Sequence, residues 1–210
     1  GRFRHEAAAC DPEREVVYLT EDEPDGGFYR FTPDRWPDLS SGILEILVET
    51  GDGIAWRRVP DPAATRVPTR RQRADTMRFD GGEGCYYADG VCYFTTKGDN
   101  RVWGYDARRH RLDLVYGGEG TLAQVDNITG SSGGDLYVAE DGGNMEINII
   151  TPDGAVAPFL RLVGQDESEI CGPAFSPDGT RLYFSSQRGT TGKSSGGITY
   201  EVTGPFRTAR

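Results

Sequence analysis

The chain has 210 residues, the size of a single domain with a continuous core, and its 33 acidic and 23 basic residues give a net charge of −10. That charge argues against a nucleic-acid partner, and no apolar run reaches the roughly 20 residues of a membrane span. Only two histidines are present, which argues against metal sites built on imidazole and against a Ser-His-Asp relay. The 29 glycines and 12 prolines, set between aromatic and β-branched residues, indicate a turn-dense all-β domain.

The first 22 residues contain a unit that the chain repeats. A run of small residues begins at Glu6, an Asp-Pro turn follows at residues 11–12, and an apolar run around Tyr18 ends at Glu21. Apolar runs on both sides of a turn are typical of a β-hairpin. We therefore expect a hairpin whose acidic ends, Glu6 and Glu21, face a shared central channel.

The repeated unit is centred on a tyrosine, at positions 18, 93, 137 and 183. Turn residues precede the tyrosines at 11–12, 89–90, 133–134 and 177–179. Third strands are predicted at 28–31, 102–105, 147–150 and 198–202, and fourth strands at 43–48, 112–116 and 155–160. Four strands in a period near 45 residues are typical of β-propeller blades, whereas a β-sandwich would not repeat one tyrosine-centred unit. We predict that residues 1–210 form a single β-propeller domain, or its C-terminal larger part, with four visible blade repeats.

The first interval between tyrosines is longer than the others, and the surplus lies at residues 57–76. This segment is rich in proline and contains Arg66, Arg70, Arg71 and Arg73. One interpretation is a solvated loop between two blades. The other is a positively charged lid that gathers anionic substrates in an otherwise acidic protein.

Polar residues recur where the inner strands begin and where the next strands end. The openers are Glu6, Glu83, Asp126-Asn127 and Glu169, and the closers are Glu21-Asp22, Lys97 with Asp99-Asn100, Glu140-Asp141 and Gln187-Arg188. In a propeller such openers converge near one mouth of the channel. Two carboxylates about 4 Å apart repel by about 4 kcal/mol at an effective dielectric constant of 20, which favours a bound metal. The alternative is that these acids cap turns or pair with arginines on a solvated rim.

The sequence has no C-x-x-C motif among its four cysteines, which are Cys10, Cys85, Cys92 and Cys171. This argues against a structural zinc site. Cys85 and Cys92 flank the turn at Asp89-Gly90 and are candidates for a disulfide. Their offset is not the directly opposite one for that hairpin.

Several motifs, in this order, resemble the PhoX-type alkaline phosphatases. The segments that carry the resemblance are GRFRHEAA at 1–8, YLTED at 18–22, EGCYY at 83–87, DNIT at 126–129, GDLYVAEDG at 134–142, CGPAFSPDG at 171–179 and GITYEVTGP at 197–205. The resemblance extends over nearly the whole chain.

The resemblance implies a six-bladed propeller that is exported to the periplasm, the cell surface or the medium, often by the twin-arginine route. It implies calcium (Ca²⁺) and a pair of irons (Fe³⁺) at the channel mouth, and hydrolysis of small phosphate monoesters there. By motif, Glu6, Glu83 and Glu169 match carboxylates that ligate this cluster, and Asn127 and Glu140 are candidates for the calcium shell. Glu21 joins the candidate ligands from the residue pattern, and Lys97 and Arg188 are candidates to hold the phosphate.

The sequence departs from the family at its start. The family carries a cysteine and an acidic strand upstream of the point where this sequence begins, and that region supplies an iron ligand. Four repeats are visible where six are implied. We therefore expect either a missing N-terminal segment or another chain to close the propeller, and we expect calcium rather than iron from the remaining acids.

Three functional hypotheses remain open from the sequence. The first is a metal-dependent phosphatase of the PhoX type. The second is a calcium-dependent lactonase or esterase on a similar propeller, which the channel acids also suit. The third is a secreted propeller that binds calcium without catalysis.

Overall fold

The computed structural model describes residues 1–208, and its strands form four antiparallel sheets. The strands are β1 His5–Asp11, β2 Val16–Glu21, β3 Phe28–Arg35, β4 Asp38–Thr50, β5 Gly53–Arg58, β6 Gly82–Ala88, β7 Val91–Thr96, β8 Arg101–Asp106, β9 Arg111–Tyr116, β10 Val125–Gly130, β11 Leu136–Glu140, β12 Glu146–Ile150, β13 Val156–Arg161, β14 Ile170–Phe175, β15 Arg181–Ser186 and β16 Ile198–Thr203. Short 3-10 helices lie at Thr69–Arg71, Gly189–Thr191 and Ser194–Gly196. No helix in residues 1–208 is long and apolar enough to cross a membrane.

Each sheet is a meander in which consecutive strands are neighbours. The orders are β1 to β5, β6 to β9, β10 to β13 and β14 to β16. This is the strand order of propeller blades, so the all-β propeller prediction is confirmed, and every predicted third and fourth strand falls within an observed strand apart from residue 155, which precedes β13. The first sheet adds a fifth strand, which takes residues 57 and 58 out of the predicted loop at 57–76.

The chain divides into two compact units. The first comprises Gly1–Asp99 and Trp103–Leu114, and the second comprises Asn100–Val102 with the described residues from Val115 onward. The first unit contains the first sheet and most of the second, and the second unit contains the third and fourth sheets.

An aromatic core fills the first unit. Phe28 of β3 stacks on Phe94 of β7 with ring centroids 4.2 Å apart, and Trp56 of β5 donates a hydrogen bond from Nε1 to the Tyr105 hydroxyl at 2.7 Å. Tyr18 of β2 packs in the same cluster. Full burial of an aromatic side chain contributes roughly 2–3 kcal/mol, so this cluster is a principal source of stability for the unit.

The four blade tyrosines are equivalent in sequence but not in burial. Tyr18 and Tyr137 are buried in the cores of their units, whereas Tyr93 and Tyr183 are half-buried beside the core residues Phe94 and Phe184. Successive side chains of a strand point to opposite faces of the sheet. The two sheets in each unit therefore present opposite faces of the same repeat to their shared core.

A β-bulge interrupts the first strand pair of every sheet. In each case two residues on the first strand face a single residue on the second. The bulge pairs are Glu6-Ala7, Glu83-Gly84, Asp126-Asn127 and Gly172-Pro173, and they face Thr20, Thr95, Ala139 and Phe184 respectively. Bulges redirect side chains and are common beside functional sites, so the position of the candidate acids is a property of the backbone.

Candidate metal centre

The bulges of the first unit bring two of the predicted acids together. Strands β1 and β6 are the first strands of their sheets and lie beside each other. Glu6 of β1 and Glu83 of β6 each present a carboxylate oxygen, and these two atoms lie within 4.8 Å of each other. Glu6 is exposed and Glu83 is buried. The sequence prediction that these two openers converge agrees with this geometry.

A lysine closes the group from the end of β7. Lys97 Nζ contacts Oε1 of Glu83 and lies 2.9 Å from Oδ1 of Asp22, the residue that follows β2. The carboxylates of Asp22 and Glu83 thus share one ammonium group, and the carboxylate of Glu6 lies beside that of Glu83. We refer to these four residues as the carboxylate group.

The electrostatics of the carboxylate group show a shortage of positive charge. Burial, together with the charges of Glu6 and Asp22, raises the pKa of Glu83 to about 7 against the opposing effect of Lys97. Burial alone would lower the pKa of Lys97, but its hydrogen bonds and charge interactions with Glu83 and Asp22 outweigh burial and raise it. A hard cation that binds oxygen donors, such as Ca²⁺, would relieve the repulsion, so these residues fit a metal ion.

The second unit holds its own polar cluster around the bulge of β10. Asn127 donates from Nδ2 to Oδ1 of Asp126 at 2.7 Å and accepts a 2.6 Å hydrogen bond at Oδ1 from the Gly172 amide. Asp126 is buried and Asn127 is half-buried. Asn127 therefore joins β10 to the neighbouring first strand, β14, and both ends of its amide already have protein partners.

Glu169 and Arg188 form an ion pair near Asp126. Arg188 Nη2 lies 3.2 Å from Oε2 of Glu169. The pKa of Glu169 is raised overall, because burial and the charge of Asp141 outweigh the lowering effects of Arg188 and of a hydrogen bond with Asp126. Glu169 lies one residue before β14, so unlike Glu6 and Glu83 it is not on a bulge. In the fourth sheet two regular residue pairs precede the bulge at Gly172-Pro173, whereas one pair precedes it in each of the other sheets.

The structure directs Glu21 away from the carboxylate group. Its side chain is buried, Oε2 accepts hydrogen bonds from the Gly27 amide at 2.9 Å and the Tyr29 hydroxyl at 2.6 Å, and Oε1 accepts one from Arg70 Nη1 at 2.9 Å. These hydrogen bonds hold the loop between β2 and β3, and the 3-10 helix at Thr69–Arg71, against the end of β2. Glu21 thus has a structural role that sequence reasoning missed.

Glu140 occupies the equivalent position in the third sheet and has the same kind of role. Oε1 accepts from the Ala123 amide at 3.0 Å and Asn148 Nδ2 at 3.1 Å, and Oε2 accepts from the Glu146 amide at 3.1 Å. Both glutamates bind the amide six residues later and a side chain eight residues later. That spacing is the sequence signal that separates these buried glutamates from channel ligands.

Three of the six arginines in the segment 57–76 form ion pairs. Arg70 Nε lies 2.7 Å from Asp25 Oδ1, Arg71 Nε lies 2.8 Å from Asp25 Oδ2, and Arg73 Nη2 lies 2.9 Å from Asp75. Neighbouring acids therefore compensate much of the positive charge that the lid interpretation relies on.

Comparison with known families identifies one match. The sequence model of the family described as "Alkaline phosphatase PhoX" matches residues 1–117, which include all four residues of the carboxylate group. Comparison with curated proteins finds no match.

Solved structures share the fold. The nidogen/laminin complex contains a chain that matches with a TM-score of 0.59 and 14% identity over 89% of this chain and 57% of its own. A structural-genomics protein of unknown function from Bacteroides thetaiotaomicron matches with a TM-score of 0.53 and 12% identity over 87% of this chain and 42% of its own. The chain thus spans about half the length of these two structures, and likeness at such identity shows the fold alone.

Proposed function

This chain belongs to the alkaline phosphatase PhoX family, and on that premise we propose that it hydrolyses small phosphate monoesters at a metal ion held by the carboxylate group. The observation that supports the proposal is the pair of bulge carboxylates, Glu6 and Glu83, within 4.8 Å of each other in the part of the chain that matches the family. Asp22 adds a third carboxylate, and Lys97 adds a positive charge beside the carboxylates of Asp22 and Glu83.

We propose that the three carboxylates hold Ca²⁺, because all are hard oxygen donors. A divalent ion held by Glu6, Asp22 and Glu83 would polarise the phosphoryl oxygens of a substrate and would neutralise the charge that develops on them. Lys97 Nζ supplies a further positive charge for a phosphate oxygen, since it is 44% exposed and already lies at the carboxylates. The burial of Glu83 lowers the local dielectric constant, which strengthens both interactions.

The candidates of the second unit remain proposals of the same kind. Glu169 and Asn127 are proposed ligands by resemblance, and Arg188 is a proposed contact for the phosphate through its guanidinium. Fe³⁺ is proposed by the resemblance to the family, and metal analysis tests it independently of calcium. Family membership also leads us to propose a periplasmic or secreted location.

The test combines metal analysis with two activity assays. The purified protein is analysed for calcium and iron, and hydrolysis of p-nitrophenyl phosphate and of a lactone is measured with and without EDTA. We expect bound calcium and phosphatase activity that EDTA abolishes. Calcium with lactonase activity would support the second hypothesis in place of the first, and calcium with neither activity would support the third.

A matched pair of variants locates the site. Glu83→Gln removes one charge at the carboxylate group, and Glu49→Gln removes one at an exposed position of β4. We expect Glu83→Gln to lower the metal stoichiometry and to reduce kcat/KM by at least about tenfold, since lost metal-site interactions usually cost that much. Equal metal content in both variants and in the parent protein would contradict the assignment.

A further inference from the structure

A cavity of about 600 Å³ lies in the first unit between the N-terminal residues and the segment 57–76. Four arginines, Arg2, Arg4, Arg66 and Arg70, line it together with Glu23. In a chain with a net charge of −10, such a concentration of arginines is unusual. Its chemistry is that of an anion site.

The walls of the cavity are held in place by contacts outside it. The Arg2 amide donates a 2.7 Å hydrogen bond to the carbonyl of Pro62, which ties the N-terminal residues to the arginine-rich segment. Phe3 stacks on Tyr29 with ring centroids 4.1 Å apart, and Tyr29 is fully buried. The arginines therefore project from two segments that are fixed to each other and to the core.

Charge compensation in the cavity is incomplete. Arg70 forms the inner wall, 11% exposed, and is balanced by Glu21, Glu23 and Asp25. Arg4 is 67% exposed and approaches only Glu23, at 3.9 Å. Within residues 1–208, Arg2 and Arg66 make no ion pair with a carboxylate. At least two guanidinium groups are thus available to an anion.

The cavity adjoins the carboxylate group along the chain. Arg4 precedes Glu6 by two residues, so their Cα atoms are at most about 7 Å apart. On the other side, the Asp22 amide donates a 2.9 Å hydrogen bond to the Arg4 carbonyl, and the Asp22 carboxylate pairs with Lys97. The Cα atoms of Arg2 and Glu6, four residues apart, are at most about 14 Å from each other, so one flexible molecule with two anionic ends can contact both places.

We propose that this arginine cavity binds a second anionic group of the substrate, so that the preferred substrates are phosphate monoesters with a second phosphate a few bonds away. The proposal deepens the proposed function and rests on it. One phosphate lies at the carboxylate group, where hydrolysis occurs, and the other is held by Arg2 and Arg66. Guanidinium groups bind phosphate oxygens in pairs, which gives this second contact its selectivity for dianions over neutral groups.

The test compares the monophosphate and the bisphosphate of butane-1,4-diol, with released inorganic phosphate as the readout. The double variant Arg2→Ala/Arg66→Ala is compared with Arg35→Ala/Arg109→Ala, which removes the same charge at two exposed residues that pair with the nearby Asp38 and Asp106. Binding of the bisphosphate to the EDTA-treated protein is measured separately by calorimetry.

We expect the parent protein to favour the bisphosphate by about tenfold in kcat/KM, which is the effect of one charge-assisted hydrogen bond. The preference should fall to about twofold, the statistical value for two equivalent ends, in the cavity variant and persist in the control variant. High salt should reduce it as well. An unchanged preference in the cavity variant would overturn the proposal.

The calorimetry separates this proposal from the proposed function. If neither compound is hydrolysed but the bisphosphate binds and the cavity variant loses that binding, the anion site stands and the phosphatase proposal fails. If p-nitrophenyl phosphate is hydrolysed while bisphosphate binding is the same in parent and cavity variant, the phosphatase proposal stands and the anion site fails.

Discussion

Replacing Glu21 by glutamine separates a structural carboxylate from a metal ligand. The carboxylate is fully buried and accepts hydrogen bonds from the Gly27 amide, the Tyr29 hydroxyl and Arg70. Glutamine has the same shape but no charge, and its amide nitrogen must face one of these donors. One hydrogen bond and one buried ion pair are lost, while Arg70 retains Asp25 at 2.7 Å.

The magnitude follows from these contacts. Removing one partner of a buried ion pair costs about 3–5 kcal/mol, and the remaining partners of Arg70 place Glu21→Gln at the lower end, about 3 kcal/mol. For a chain of this length each kcal/mol lowers Tm by about 2–4 °C, so we expect a decrease of about 6–12 °C. Tm is measured by calorimetry on the purified parent protein and on the purified variant, and the calcium content of each is measured as well.

Glu140→Gln is the matched control, because Glu140 occupies the equivalent position but binds only neutral donors. It should lose a single hydrogen bond, about 1 kcal/mol, and about 2–4 °C in Tm. Both variants should keep the metal content of the parent. If Glu21→Gln lost metal with a Tm within about 2 °C of the parent, the structural interpretation of Glu21 would be refuted.

Two further predictions concern Asp25 and the cysteines. Hydrogen bonds from Arg71 and Arg70 lower the pKa of Asp25 from 3.8 to about 2, so its stabilisation is present above pH 3.8 and is lost as the pH falls toward 2. Because the Asp25 side chain is 34% exposed, we expect its ion pairs to contribute only about 1 kcal/mol to the free energy of unfolding. In urea unfolding, the parent should be more stable than Asp25→Asn by this amount at pH 6, and the difference should vanish near pH 2. A difference that does not depend on pH would contradict this prediction. The Sγ atoms of Cys85 and Cys92 lie 3.2 Å apart, so mild oxidation with a glutathione disulfide buffer should join them, with a mass loss of two hydrogens. Burial raises the pKa of the Cys92 thiol, which should make the reaction faster at alkaline pH, and a Cys92→Ser variant should show no such mass loss; an unchanged parent mass would be the contrary result.

The strands were predictable because turn chemistry and apolar runs are local. The turn at Asp89-Gly90 illustrates this, since both residues have positive φ, 49° and 84°, and join Ala88 to Val91 in a two-residue hairpin. That register places Cys85 opposite Phe94 and Cys92 opposite Tyr87, so the predicted offset of the two cysteines is confirmed as a diagonal one.

The convergence of Glu6 and Glu83 was predictable from their equivalent positions in the repeat. The role of Glu21 was not, because its partner Arg70 lies 49 residues away in a segment outside the repeat. The sheet face that each blade buries could not be predicted from the sequence either. The alternation of side chains around Tyr18 and Tyr93 is similar, and only contacts between sheets show that Tyr18 faces the core and Tyr93 does not. Local pattern predicts elements, whereas these features depend on contacts across the fold.

The bulges separate function from stability in this protein. A residue at a bulge stands outside the regular pairing of the strand, so the side chain there can change while the ladder hydrogen bonds and the aromatic core stay as they are. The four repeats show this directly, with Glu6, Glu83, Asp126 and Gly172 at the first bulge position of otherwise similar hairpins. New ligand sets can thus arise in such a blade by single substitutions, which makes the repeat an adaptable framework for acquiring or exchanging metals over evolution.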